Sequence, residues 1–271
     1  MVYQNVSTLN MNNYKDIVRN KIAMSFQRLH KSNVYTAKQN IQNKDTIKDD
    51  IFREKMHSVM LEDPCFKEVY TKPSSNPKVL KIEEELKGMG VNANFFDDLS
   101  VAKVTLSALK KVKQKGFSLP EEIFMMNPTV ENTQGYTFCI KIPEKEKMSP
   151  VFIKKGMADN YKTHPSKEAL REVGLRPLTV DSPEGVILHE MGHYLHNLNG
   201  YNKQENEKIW NNVINSENRY YLAKEVSTYA FDGDKSGCDF VAEVFAGMMN
   251  GEKYSPAVMD IYNALHGPAF N

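Results

Sequence analysis

The segment from Asp181-Ser182-Pro183 to Asn199-Gly200 constrains this chain more than any other, because a helix start and a helix stop bracket an unbroken amphipathic pattern. Asp181 or Ser182 can accept hydrogen bonds from the first free amides, Pro183 suits the first turn, and Glu184 puts negative charge at the positive end of the helix dipole. Asn199-Gly200 supplies the termination signal. Between these limits Ile187, Met191, Tyr194, Leu195 and Leu198 recur at helical spacing and form a stripe that must be buried. His189 and His193 lie off that stripe, one turn apart on a common face. Gly192, worth about 1 kcal/mol less than Ala in a helix, is tolerable there if another segment passes close.

The run His189-Glu190-Met191-Gly192-His193 has the form HExxH. Imidazoles at this spacing can both reach one zinc ion at about 2.0–2.1 Å. Glu190, about 100° further round the helix, flanks such a metal and can act as general base toward its water. A catalytic zinc takes three protein ligands and keeps one position open, so a further ligand is expected downstream. His196 does not fit as that ligand in the metzincin pattern, which needs Gly where His196 stands and His where Asn199 stands, and it is expected to pack or to support the ligands from behind. Asp239 and Glu243 are four residues apart and share a face of a helix whose adjacent face carries Phe240, Val244 and Met248. Either acid can serve as the third ligand. Cys238 would point about 100° away from Asp239 and is not expected to ligate.

The HExxH helix, then Ser227-Thr228-Tyr229-Ala230, then Asp239-Phe240-Val241-Ala242-Glu243-Val244-Phe245 resembles the anthrax lethal factor-like metallopeptidases, a gluzincin family that includes phage structural-gene domains and proline-specific secreted endopeptidases. The resemblance runs in order of elements over residues 80–271. It implies zinc held by His189, His193 and Asp239, with Glu243 behind the ligands and Tyr229 donating to the oxyanion. Two departures stand out. The family usually has Glu where Asp239 stands, so a shorter acid must be brought closer to the metal or Glu243 must take its place. The stretch 231–237 is also longer than the family pattern, and its Gly and Asp residues predict a flexible loop.

The rest of the chain bounds the reading. Its 271 residues suffice for one large domain or two small ones. A net charge of +1 gives no electrostatic case for a nucleic-acid partner. Three widely spaced cysteines, Cys65, Cys139 and Cys238, imply no disulfide framework. The first residues lack a basic and apolar leader, and no run has the length of a membrane span, so a soluble cytoplasmic or virion-associated protein is expected.

Residues 1–77, rich in Asn, Lys and Gln, are expected to form a helical N-terminal region with amphipathic stretches over 17–29 and 45–61 that can dock a partner. Pro73-Ser74-Ser75-Asn76-Pro77 reads as a boundary. Residues 78–271 are expected to form a mainly helical α+β zincin-like domain with a small three- to four-stranded sheet. Its predicted helices span 81–87 and 100–115, and its strands span 123–126, 136–142 and 151–155. The strand 151–155 is the predicted cleft edge, where a peptide can add as a further strand.

These residues and the resemblance imply a zinc-dependent endopeptidase acting on protein or peptide substrates, with Glu190 and Tyr229 as catalytic groups. Two other readings remain open. One is a structural or interaction protein, such as a virion component, carrying an inherited zinc domain. The other is a zinc amide hydrolase acting on cell wall.

Overall fold

A computed structural model describes residues 66–70, 72–129, 133–137, 140–142, 145–148, 150–161, 174–231 and 236–270. The amphipathic stretches expected over 17–29 and 45–61, and the docking partner they suggested, lie outside the described residues, as do the loop positions 232–235.

The architecture is α+β, as the sequence pattern predicts. Strands β1 (Phe66–Tyr70), β2 (Asn92–Asn94), β3 (Glu122–Pro128), β4 (Gly135–Thr137) and β7 (Val151–Lys154) form a mixed sheet, while β5 (Ile140–Ile142) and β6 (Lys145–Met148) pair as a separate ribbon. β3 is the centre of the sheet. It runs parallel to β7 on one side, and on the other it pairs antiparallel with β1 and parallel with β2. All but one of its residues are buried, as expected for a strand covered on both faces.

The strand β1 falls inside the region expected to be helical, so the N-terminal helical character does not extend to residue 77. Ser74 is buried, and the backbone amides of Ser75 and Asn76 donate to the carboxylate of Asp97 at 2.6 Å each, so this stretch is tied down against the sheet domain.

Helix α1 (Pro77–Gly88) starts at the Asn76 cap, and α2 (Leu99–Gln114) at Asp98, whose carboxylate accepts from the Val101 amide. Helix α3 (Pro183–Leu198) is the histidine helix. Ser182 caps it by accepting from the Gly185 amide at 3.0 Å, and Gly200, at φ +94°, lies just beyond its end. Asp181 is not the cap residue; it accepts from the Tyr161 hydroxyl. Helices α4 (Lys203–Val213) and α5 (Ser216–Glu225) lead to a short 3-10 turn at Tyr229–Phe231. Helices α6 (Cys238–Met249) and α7 (Pro256–Ala264) complete the domain.

The core joins the sheet, α2, α3 and α6 through Met125, Ile153, Leu109, Leu188, Phe240 and Phe245, all fully buried or nearly so. The apolar stripe expected on α3 is largely buried, with only Leu198 exposed. Helix α3 packs chiefly on α6 and also meets β4 and β7, so its remaining face lies between a helix and a sheet edge.

Two strand expectations need correction. The alternating run 136–142 is not one strand: residues 135–137 pair with β7, whereas 140–142 pair with β6 in the other sheet. Nor is 151–154 an edge, since β7 has β3 on one side and β4 on the other. Burial explains this: Val151, Phe152 and Ile153 are too apolar to lie at a rim and are covered completely. On the β7 side of the sheet the outermost described strand is β4, whose outer edge no described strand pairs; on the other side β1 and β2 likewise pair only with β3.

Candidate metal centre

Helix α3 projects His189 and His193 from one face with their Nε2 atoms 3.0 Å apart and their rings edge to face. The third member of the group comes from the first turn of α6. Gly237 begins that helix at φ +67°, and a Cβ there would lie 2.6 Å from the Trp210 ring and 2.9 Å from Leu265, so the chain can enter the helix this tightly only through glycine. The turn delivers Asp239, whose Oδ1 lies 3.2 Å from His193 Nε2 and 3.8 Å from His189 Nε2. Donor atoms about 2.0–2.1 Å from a tetrahedral zinc lie about 3.3 Å from one another. The three separations of 3.0, 3.2 and 3.8 Å bracket that value, so His189, His193 and Asp239 fit a zinc ion in both donor chemistry and spacing.

A short acid can close this group because the two helices cross closely. A Cβ on Gly192 would stand 2.7 Å from the Ala242 Cα and 3.1 Å from its carbonyl oxygen. Backbone blocks it, so any side chain at 192 would push α6 away and carry Asp239 with it.

Glu243 is buried on the far side of His189. Its Oε1 lies 2.8 Å from His189 Nδ1, while Oε2 accepts from the Thr179 amide and the Ser227 hydroxyl, each at 2.7 Å. A carboxylate accepting from Nδ1–H fixes the tautomer that presents Nε2 to a metal. The geometry therefore gives Asp239 the position facing both imidazoles, and Glu243 the role of orienting one of them. Thr179 and Ser227 form the rest of this support. Ser227 belonged to the family-like motif without a stated role, and nothing in the sequence around Thr179 marks it.

Burial by itself disfavours a charged imidazole at His189, yet the hydrogen bond and charge of Glu243, with Glu190 and Asp239 nearby, lift its pKa to about 9. For Glu243 burial would favour the neutral acid, but His189 and the donors on its oxygens hold the pKa below the usual carboxylate value.

Tyr229 stands over the group, its ring packed edge-on against His189 with centroids 5.4 Å apart. Its amide donates to Pro177 O, and the neighbouring Ala230 amide to Ser227 Oγ, so the loop that carries it is anchored on both sides. The residue as a whole is 44% exposed, but its hydroxyl end lies among the acids of the group. The negative charge of Asp239, loss of solvent at the hydroxyl, and the charges of Glu190 and Glu243 raise its pKa well above the ordinary tyrosine value. The phenol stays protonated and able to donate.

Glu190 is buried, and its Oε2 accepts from the Thr137 hydroxyl at 2.7 Å. His196 does not join the group: its Nε2 lies 2.6 Å from the carbonyl of Leu265, and its ring packs edge to face on Tyr201. Cys238 forms no disulfide among the described residues and lies outside the three-residue group.

In comparisons with protein-family models, curated proteins and solved structures, nothing matched the chain. Among the described residues no helix is long and apolar enough to cross a membrane.

Proposed function

We propose that the protein is a zinc-dependent endopeptidase of the gluzincin kind. The observation that carries this reading is the side-by-side placement of His189, His193 and Asp239, with Glu190 on the same helix turn and Tyr229 over the histidines. Zinc in such a site supplies Lewis acidity for the scissile carbonyl and lowers the pKa of a bound water. Glu190 accepts the proton from the attacking water and returns it to the departing amine. Tyr229, held protonated, donates to the oxygen on which charge develops. A site that only stapled the fold would need neither residue and would normally close its fourth position with protein.

The class of substrate follows from β4. The Lys154 amide donates to Gln134 O and Gly135 faces Ile153, so Gly135 and Thr137 occupy the non-hydrogen-bonded positions of the β4–β7 pair. Their own N–H and C=O groups point to the outer edge, where an extended peptide can add as a strand beside Glu190.

Incubation of the purified protein with a peptide library, with and without a chelator, tests the reading. Cleavage that the chelator stops and zinc restores is expected, together with a Glu190→Ala variant that keeps zinc and cleaves nothing. Full activity in that variant, or no cleavage of any peptide by the zinc-loaded wild type, would overturn it.

A further inference from the structure

We infer that strand β4 sets the position of the Glu190 carboxylate, with Thr137 as its positioning residue and Gly135 as the space it occupies. The inference rests on the peptidase reading and deepens it. The Thr137 hydroxyl donates to Glu190 Oε2 at 2.7 Å, and its Oγ1 lies 3.4 Å from the Glu190 carbonyl oxygen. Two residues earlier on the same face of the strand, a Cβ on Gly135 would lie 2.6 Å from both Cγ and Oε1 of Glu190 and 2.8 Å from Cδ. Glu190 is therefore held at one carboxylate oxygen and confined along its length by glycine backbone. Since Oε2 is taken up by the threonine, Oε1 is the oxygen left to exchange a proton with water and leaving group.

The same two residues turn their backbone polar groups to the outer edge. A peptide bound along β4 would thus be fixed to the very segment that holds the base, and a shift of the strand would move both together. This gives Glu190 a defined distance to the bond it must act on, without a further residue reaching across the cleft.

The two contacts differ in what their loss does. Thr137→Val keeps a β-branched side chain of nearly equal shape and removes only the donor. Gly135→Ala adds one methyl, and the atoms it meets are the movable end of a glutamate side chain rather than backbone, so the fold can yield while the base cannot stay in place. Both variants, with Thr137→Ser, are to be assayed on a peptide cleaved by the wild type, for kcat, KM, zinc content and melting temperature.

For Thr137→Val, kcat is expected to fall about tenfold to a hundredfold with KM nearly unchanged, as befits a misplaced general base. Thr137→Ser should recover most of kcat. Gly135→Ala should lose kcat comparably while keeping zinc and melting temperature.

Wild-type kcat in both Thr137→Val and Gly135→Ala, with Glu190→Ala inactive, would overturn the inference and leave the peptidase reading intact. Parallel loss of melting temperature and zinc, unrescued by serine, would also overturn it by showing a structural role. If the zinc-loaded wild type cleaves no peptide, both readings fall together.

Discussion

Replacing Glu243 by Gln separates an orienting acid from a metal ligand, and the structure allows the size of the effect to be worked out. The carboxylate accepts on both oxygens: His189 Nδ1 at 2.8 Å on one, and the Thr179 amide and Ser227 hydroxyl at 2.7 Å on the other. Glutamine has the same shape but only one acceptor oxygen. If that oxygen faces His189, the amide NH2 meets the Thr179 N–H, which cannot accept, and a buried donor is left unpaired at roughly 1–3 kcal/mol. If the oxygen faces Thr179, the NH2 donates to His189 Nδ1 and moves the ring proton to Nε2, the atom that must bind zinc. In either orientation the metal site loses support. Loss of such a partner typically costs about 10–100-fold in metal affinity, or about 1.4–2.7 kcal/mol. Competition titration against a chromogenic chelator reads this directly, with Asp239→Ala alongside. Zinc binding weakened within that range for Glu243→Gln, and far more severely for Asp239→Ala, is the expected pair of results. An unchanged affinity in Glu243→Gln would refute the orienting role. Complete loss of zinc there, with Asp239→Ala binding normally, would make Glu243 the ligand.

Gly192→Ala should melt several degrees below wild type and bind zinc more weakly, because its methyl would lie 2.7 Å from the Ala242 Cα and force α3 and α6 apart; overpacking of this kind costs roughly 1–3 kcal/mol, and equal melting would refute the close crossing. The metal-free protein should gain stability from the His189–Glu243 pair in full at about pH 6.5 and below, down to the acid range where Glu243, held below the usual carboxylate value, takes up a proton, and lose it as pH rises through the His189 value of about 9. Denaturant midpoints of chelator-treated protein across that window check this, and a rise in stability from that pair toward pH 9 would refute it. Zinc competes with the proton on His189, so calorimetric zinc titrations in buffers of different ionisation enthalpy should show proton release near pH 7.5 that fades above about pH 9.

Local chemistry made α3 legible. Its cap, its stop and its buried stripe all depend on residues within the helix, and they agree on the same boundaries to within a residue. The sheet was less legible because strand pairing is not local. The alternation of residues 136–142 keeps one period across two strands that belong to different sheets, so periodicity cannot mark where the chain changes partner. The strand 151–155 was expected at the cleft edge. Instead Lys155 lies beyond the end of β7, with its amine 4.2 Å from the centre of the Phe96 ring and 4.8 Å from that of Tyr70, a contact between residues far apart in sequence. The choice between Asp239 and Glu243 was open for a related reason. Both share one helix face, and which of them reaches the histidines depends on how closely α6 crosses α3.

That crossing and the seat of Glu190 are both made at glycines, in places where local propensity argues against them. Gly192 interrupts the middle of a helix and Gly135 lies in a strand, two settings in which glycine weakens the element that contains it. Neither adopts positive φ, so backbone geometry does not require glycine at either position. Close approach does. One lets the Ala242 backbone onto the histidine helix, and the other gives room to the side chain of Glu190. The first sets how far Asp239 stands from His189 and His193, which makes an aspartate long enough. The second sets where Glu190 rests relative to the open edge of β4. Ligand and base positions are thus adjusted from opposite sides of α3 by two separate contacts. A change in one should alter metal affinity with little effect on the placement of the base, and a change in the other should do the reverse.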